Sequence, residues 1–224
     1  VLSPLIANIT LNKLDWELDA RGFRFVRYAD DFVVLCSDHA QAESALQTVQ
    51  ETLDSLGLSL SPEKTRVTTY TEGYSFLGFD LSSRSRFMRG KSERKFKDKV
   101  RTLTLRKHNF EPAKVTENLN RVIRGTANYF ITDFATGHND LRRLDKWIRM
   151  RLRCMKFKRK RCRDNRRMRT KTFRQLGLLS LLDFYYEAKK PCQTAPRAAN
   201  GSSTGALLQG SPVWESHTAV NMGN

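Results

Sequence analysis

The chain has 224 residues, 39% of them hydrophobic and 28% charged, which is enough to bury a core of its own. Its 40 Lys and Arg against 23 Asp and Glu give a formal net charge of +17, pointing to a polyanionic partner. With no apolar run long enough to span a bilayer and no signal peptide in view, no membrane partner is expected and a reduced cytoplasmic setting is the default.

Ser3-Pro4 reads as a helix start, with Ser as N-cap and Pro at the first helical position. Ile6, Ile9, Leu14 and Leu18 follow as an apolar face suited to covering a sheet. Two apolar runs, 23–28 and 32–36, then flank Tyr28-Ala29-Asp30-Asp31, the pattern of a β-hairpin with acids at its tip. Two carboxylates there suit a hard divalent cation such as Mg²⁺, which takes one or two protein oxygens and the rest from water and phosphates. Because strand side chains alternate, one of the pair is the closer ligand and the other supports it. An ordinary acidic turn would look the same on the dipeptide alone.

Beyond the hairpin, Asp38 and Gln41 make a capping-box start for a helix through Ala42, Ala45, Leu46, Val49, Leu53 and Leu56, closed by Gly57. Residues 66–70 and 74–81 read as two strands around Thr71-Glu72-Gly73. Helix, hairpin, helix and two strands make an α+β layer, with helices on one face of an antiparallel sheet.

From residue 91 the pattern turns helical. Ser92 is read as the cap of a helix through Phe96, Val100, Leu103 and Leu105. Pro112 opens a second through Val115, Leu119, Val122 and Ile123, and a third runs through Leu141, Leu144, Trp147, Ile148 and Met155. Trp147, Tyr129 and Phe130 could stack on bases, but their helical spacing favours core packing. Charge divides the chain along the same lines: residues 1–90 carry −3, 91–190 carry +20 and 191–224 are neutral. Within the basic part, the run Lys156-Phe157-Lys158-Arg159-Lys160-Arg161 leads into Arg163, Arg166, Arg167 and Arg169. A run of one sign without matching acids repels itself unless phosphates neutralise it, although a merely solvated face has the same composition. Residues 191–224, rich in Ala, Ser, Gly and Thr, read as a disordered tail. Cys36, Cys154, Cys162 and Cys192 form no Cys-x-x-Cys pair, which argues against a structural zinc site.

Several of these segments resemble a known family. Arg27-Tyr28-Ala29-Asp30-Asp31-Phe32 is similar to the catalytic hairpin of reverse transcriptases, in particular those encoded by bacterial group II introns. Residues 1–8 with Leu11-Asn12 resemble the palm segment before it. Leu56-Gly57-Leu58 with Ser61-Pro62-Glu63-Lys64-Thr65, and Phe76-Leu77-Gly78-Phe79, resemble the two palm motifs after it. Ile123-Arg124-Gly125, Asn128-Tyr129-Phe130 and Leu144-Asp145-Lys146-Trp147 resemble the maturase region.

The resemblance implies a fold: the distal half of a reverse-transcriptase palm over 1–90, then a basic all-α thumb and maturase domain over 91–190. It implies RNA-directed DNA polymerisation by two-metal phosphoryl transfer with Mg²⁺, and binding of intron RNA in splicing and mobility. Asp30 and Asp31 would be the catalytic metal ligands, and Lys64 would lie near the departing pyrophosphate, although it reads equally as a surface lysine. Tyr28, Ala29, Leu77 and Gly78 would contact primer or nucleotide. Arg124, Lys156, Lys158, Arg159, Lys160, Arg161, Arg163, Arg166 and Arg167 would contact RNA.

The implied partners are group II intron RNA, an RNA template with its DNA primer, and dNTPs. The implied setting is bacterial and cytoplasmic, with an organelle as the second reading. In the family, fingers and the first palm strands, with a further metal-binding aspartate, precede the position of Val1. The chain alone is therefore expected to be catalytically incomplete, to expose a sheet edge and to be poorly soluble, unless a separate fingers-palm fragment complements it. An RNA-binding splicing cofactor without polymerase activity, or an inactive remnant, is the alternative.

Overall fold

The computed structural model of the chain describes residues 2–190 and 218–222. It is α+β, with small antiparallel sheets and, among the described residues, eight helices. Two compact units meet in sequence between Arg84 and Ser85, and the strand at 218–222 belongs to the first.

In the first unit, helix α1 (Ser3–Ala20) leads into the hairpin β1 (Arg24–Tyr28) and β2 (Asp31–Cys36). Leu2, not Ser3, occupies the N-cap position, so the expected serine cap is not formed. The expected apolar face also divides: Leu14 and Leu18 are fully buried, whereas Ile6 and Ile9 are 58% and 67% exposed. The core reaches only as far along α1 as Leu11, because that is where α2 and the sheet meet it.

Helix α2 (His39–Ser55) begins as the capping signal requires. Asp38 accepts from the Gln41 backbone N–H at 2.7 Å, and Gln41 Oε1 accepts from the Ser37 N–H at 2.6 Å. It ends at Gly57, whose φ of +69° lets Leu58 N–H reach back to the Leu53 carbonyl. Phe32, Val34 and Cys36 on one face of β2 pack with Leu14 and Leu18 of α1 and Ala42, Ala45 and Val49 of α2. Each fully buried Leu or Val side chain there contributes about 1.5–3 kcal/mol.

Strand β3 (Thr65–Thr69) follows, but the expected strand over 74–81 is instead a tight hairpin, β4 (Tyr74–Phe76) and β5 (Phe79–Leu81). Leu77 and Gly78 between them have φ of +48° and +81°, the two positive values of a type I′ turn, so the chain reverses where one strand was expected.

The sheet is completed from far along the chain. Strand β7 (Thr218–Met222; β6 belongs to the second unit) runs antiparallel to both β2 and β3, giving the order β1-β2-β7-β3. Met222 faces Phe32 on one side and Thr65 on the other, and Thr218 faces Cys36 and Thr69. Strand β7 thus fills the position between β2 and β3, and β1 and β3 are the end strands of this sheet among the described residues. The tail expected to be disordered contributes this strand; its remainder lies outside the described residues.

The second unit starts with β6 (Arg86–Met88) and helix α3 (Gly90–Leu103), capped at Arg89 so that Ser92 falls inside the helix and Leu105 beyond it. Helices α4 (Pro112–Phe130) and α5 (His138–Phe157) follow the expected periodicity. Three short helices complete the unit without an advance signal: α6 (Asp164–Arg167), α7 (Thr170–Gln175) and α8 (Leu181–Ala188). The core gathers Phe96, Val100, Leu119, Ile123, Leu141, Leu144, Ile148, Met155, Phe173 and Leu181. Buried Asp145 on α5 starts α8: it accepts from Ser180 Oγ at 2.6 Å and from the N–H groups of Leu181 and Leu182 at 3.0 and 3.2 Å. Trp147 and Phe130 pack against the core as expected, whereas Tyr129 is 52% exposed and stands edge-to-face with Phe130.

Candidate functional site

The acid turn is braced from behind. Tyr28 pairs with Asp31, leaving Ala29 and Asp30 as a two-residue turn in which Ala29 has φ of +55°. A residue with a Cβ is held in that conformation at a cost of about 1–2 kcal/mol. Arg27 supplies the restraint: one terminal nitrogen donates to the Ala29 carbonyl and to Asn8 Oδ1, both at 2.9 Å. Its Nε donates to Asp15 Oδ1 at 2.8 Å and the other terminal nitrogen to Oδ2 at 2.5 Å. Hydrogen bonding to Asp15 raises the Arg27 pKa further, against the opposing effect of burial, so the brace stays charged.

Asp30 is exposed and lines a cleft of about 230 Å³ with Leu11, Phe32, Leu53, Leu58 and Leu60 as apolar walls. Lys64, also exposed, stands on the same cleft, delivered by a turn in which the Lys64 and Thr65 N–H groups donate to the Ser61 carbonyl. Asp30 and Lys64 are thereby brought together. Asp31 is half-buried as the first residue of β2 and is not among the lining residues, in keeping with opposite directions for the two acids. Tyr28 is 66% exposed. Leu77 and Gly78 form the turn of the separate β4–β5 hairpin and do not line the cleft.

In the second unit the basic run divides into tethered and outward-facing members. Lys158, in the left-handed conformation at φ +56°, closes α5 and donates to the Arg106 and His108 carbonyls, each at 2.5 Å. Arg159 donates to both carboxylate oxygens of Asp164 at 3.3 and 3.2 Å, and Arg167 comes within 4.0 Å. Asp164 is 1% exposed, and the Arg159 hydrogen bonds hold its carboxyl below the usual range. Lys156 lies 5.7 Å from the ring centres of both Phe110 and Phe157. Lys160, Arg161, Arg163 and Arg166 face solvent, as does Arg124 on α4.

Comparison with protein families matches residues 1–81 to reverse transcriptase (RNA-dependent DNA polymerase) and residues 93–173 to the group II intron maturase-specific domain. The chain belongs to the group II intron reverse transcriptase/maturase family. A search of curated proteins found no significant match. The reverse-transcriptase match contains the Arg27-braced turn, Asp30, Asp31, Lys64 and the Leu77-Gly78 turn. The maturase match contains Arg124 and the basic run 156–167.

Reverse transcriptases use divalent metal ions, and the two carboxylates fit one chemically: both are hard oxygen donors at a reachable turn, within the count Mg²⁺ needs when phosphates and water complete its shell. Among the described residues no group of three or more His, Cys, Asp or Glu side chains is placed to hold a metal by itself.

Three contributors escape sequence reasoning. Asp15 and Asn8 brace Arg27 from α1, and only their spacing, about two helical turns apart on one face, hinted that they act together. Buried Asp145 reads as a polar residue on the rim of an apolar stripe until α8 is seen folded against it.

Proposed function

We propose that this chain carries the acid turn and pyrophosphate-side lysine of an RNA-directed DNA polymerase over residues 1–90, and an intron-RNA-binding helical domain over 91–190. The observation that carries this reading is Asp30 and Lys64 on one cleft, beside a turn that Arg27 holds. Bound Mg²⁺ would activate the primer 3′-hydroxyl and neutralise charge on the leaving pyrophosphate. Asp30 and Asp31 present the oxygens that hold it. Lys64 offers a cation to the triphosphate in the same cleft. Tyr28 and Ala29 stand where a primer end or nucleotide sugar would meet the turn, and Leu77-Gly78 offers a side-chain-poor backbone surface to the primer strand. In this reading the helical unit grips template–primer duplex and intron RNA through Arg124, Lys156, Lys160, Arg161, Arg163 and Arg166, with Lys158, Arg159 and Arg167 fixing the loop that presents them.

The test is Mg²⁺-dependent primer extension with dNTPs on an RNA template, by the chain alone and with a fingers-palm fragment from the same locus. Extension abolished by Asp30→Ala supports the polymerase reading, and dependence on the fragment identifies a split enzyme. A second reading, an RNA-binding splicing cofactor without polymerase activity, is favoured by the separation of the cation-rich helical unit, with its own core, from the acid turn. Steeply salt-dependent binding of intron RNA with no extension in either arm would establish it.

A further inference from the structure

Outside the basic run, helix α5 carries Lys146, Arg149 and Arg153 at spacings of three and four residues, which places them along one face. They line a pocket of about 380 Å³ with Met150, closed by Asn165 of α6 and Thr170, the first residue of α7. Among the described residues no acidic side chain lines it. Among the described residues none of the three cations makes an ion pair with a carboxylate: the acids near the ends of α5 pair with Arg143, Arg159 and Arg167 instead.

Arg153 is built into the wall. Its Nε donates to the Met168 carbonyl at 2.9 Å, and its guanidinium lies 5.1 Å from the centre of the Phe173 ring. Burial, and after it the nearby Arg149, pulls its pKa down. Three converging cations, an amide and a hydroxyl in a concave site make a receptor for a phosphate group. The volume leaves room for an attached sugar.

We propose that this pocket binds a phosphodiester of the RNA backbone, with Lys146 and Arg149 as direct ligands and Arg153 as the positioning residue behind them. Asn165 and Thr170 supply hydrogen bonds to the phosphate or to a 2′-hydroxyl. The inference rests on the RNA-binding reading of the helical unit and assigns it a specific seat.

The test uses the full chain and a fluorescein-labelled RNA hairpin, titrated over a range of salt. Lys146→Gln/Arg149→Gln is compared with Lys91→Gln/Arg94→Gln, which removes the same charge from exposed positions of α3. The pocket variant is expected to bind roughly ten- to a hundredfold more weakly, and to reduce the slope of log K against log salt by about 1–2, with the control close to wild type. Unchanged thermal transitions in both variants exclude unfolding as the cause. Equal weakening in both variants, or none in the pocket variant while wild type binds, overturns the proposal. No binding by wild type overturns the RNA-binding reading itself. A rise in melting temperature of the wild type with inorganic phosphate, lost in the pocket variant and unaccompanied by RNA binding, would overturn the RNA assignment and leave a free-phosphate site.

Discussion

Arg27 and Asp15 are joined by two parallel hydrogen bonds, 2.8 and 2.5 Å, that tie strand β1 to helix α1 immediately before the acid turn. Both side chains are largely removed from solvent, at 11% and 26% exposure, so the pair is screened less than a surface ion pair. Arg27→Gln is expected to destabilise the first unit by about 1–3 kcal/mol, because it strands the Asp15 carboxylate and frees the Ala29 carbonyl. Arg27→Lys keeps the charge but loses the two-point geometry and should recover only part of that loss. Denaturant unfolding of the two variants beside wild type checks the order. An Arg27→Gln protein as stable as wild type would remove the brace from the account.

The double pairing of β7 leads to a cross-linking prediction. Thr218 faces Cys36 in the register, and directly opposed residues of an antiparallel pair are separated by about 4.5–5.5 Å between Cα atoms, within disulfide range. Thr218→Cys, with Cys162 and Cys192 replaced by Ser, is expected to form an intramolecular disulfide with Cys36 on mild oxidation, while Ala219→Cys is not. A disulfide-linked dimer would mean that the strand is donated by a second copy, and no cross-link would mean that the slot is filled otherwise.

Cysteine reactivity should report the same packing. Burial first, and then nearby Asp38, pushes the Cys36 thiol up to about 11. Exposed Cys162 should therefore alkylate readily at neutral pH, while Cys36 stays protected until the pH approaches that value or the unit unfolds. Mass mapping after timed alkylation distinguishes the two sites.

Asp164 predicts an acid-side loss of stability in the second unit. Its pKa is lowered from the ordinary 3.8, chiefly by the hydrogen bonds from Arg159, so its ionised form is favoured by folding. The stability it contributes is fully present above pH 3.8 and is lost as the pH falls through the lower folded value. Asp164→Asn should be less stable than wild type at neutral pH, and the difference should shrink below about pH 4. Melting temperatures across that range test the sign; a constant difference would contradict it.

Gly137 answers to sterics rather than charge. A Cβ built there would meet the Phe87 ring at 2.1–2.6 Å, a contact with a rigid ring. Gly137→Ala is expected to cost about 1–3 kcal/mol by overpacking, and Phe87→Leu in the same chain to restore part of it. If Gly137→Ala alone leaves the melting temperature unchanged, the close approach carries no weight.

What the sequence by itself determined here is local chemistry. The turn with its two acids, the Asp38–Gln41 cap, the Gly57 stop and the stripes of α4 and α5 were legible because each depends on residues a few positions apart. The basic half was legible as composition. Tertiary structure alone decided the rest. Ile6 and Ile9 keep the period of a buried face but lie past the point where α2 meets α1, and Leu77-Gly78 turned one expected strand into two. Lys158 and Arg159 were assigned to RNA as charges, yet their nitrogens are engaged by carbonyls and by Asp164, while Lys146, Arg149 and Arg153 become a pocket only when α6 and α7 fold over them. The strand between β2 and β3 arrives from more than 140 residues beyond Thr69, a pairing set by two exposed ladders seeking hydrogen bonds rather than by any local signal. Sequence spacing specifies which face a residue shares; only packing of distant elements settles whether that face is core, brace or site.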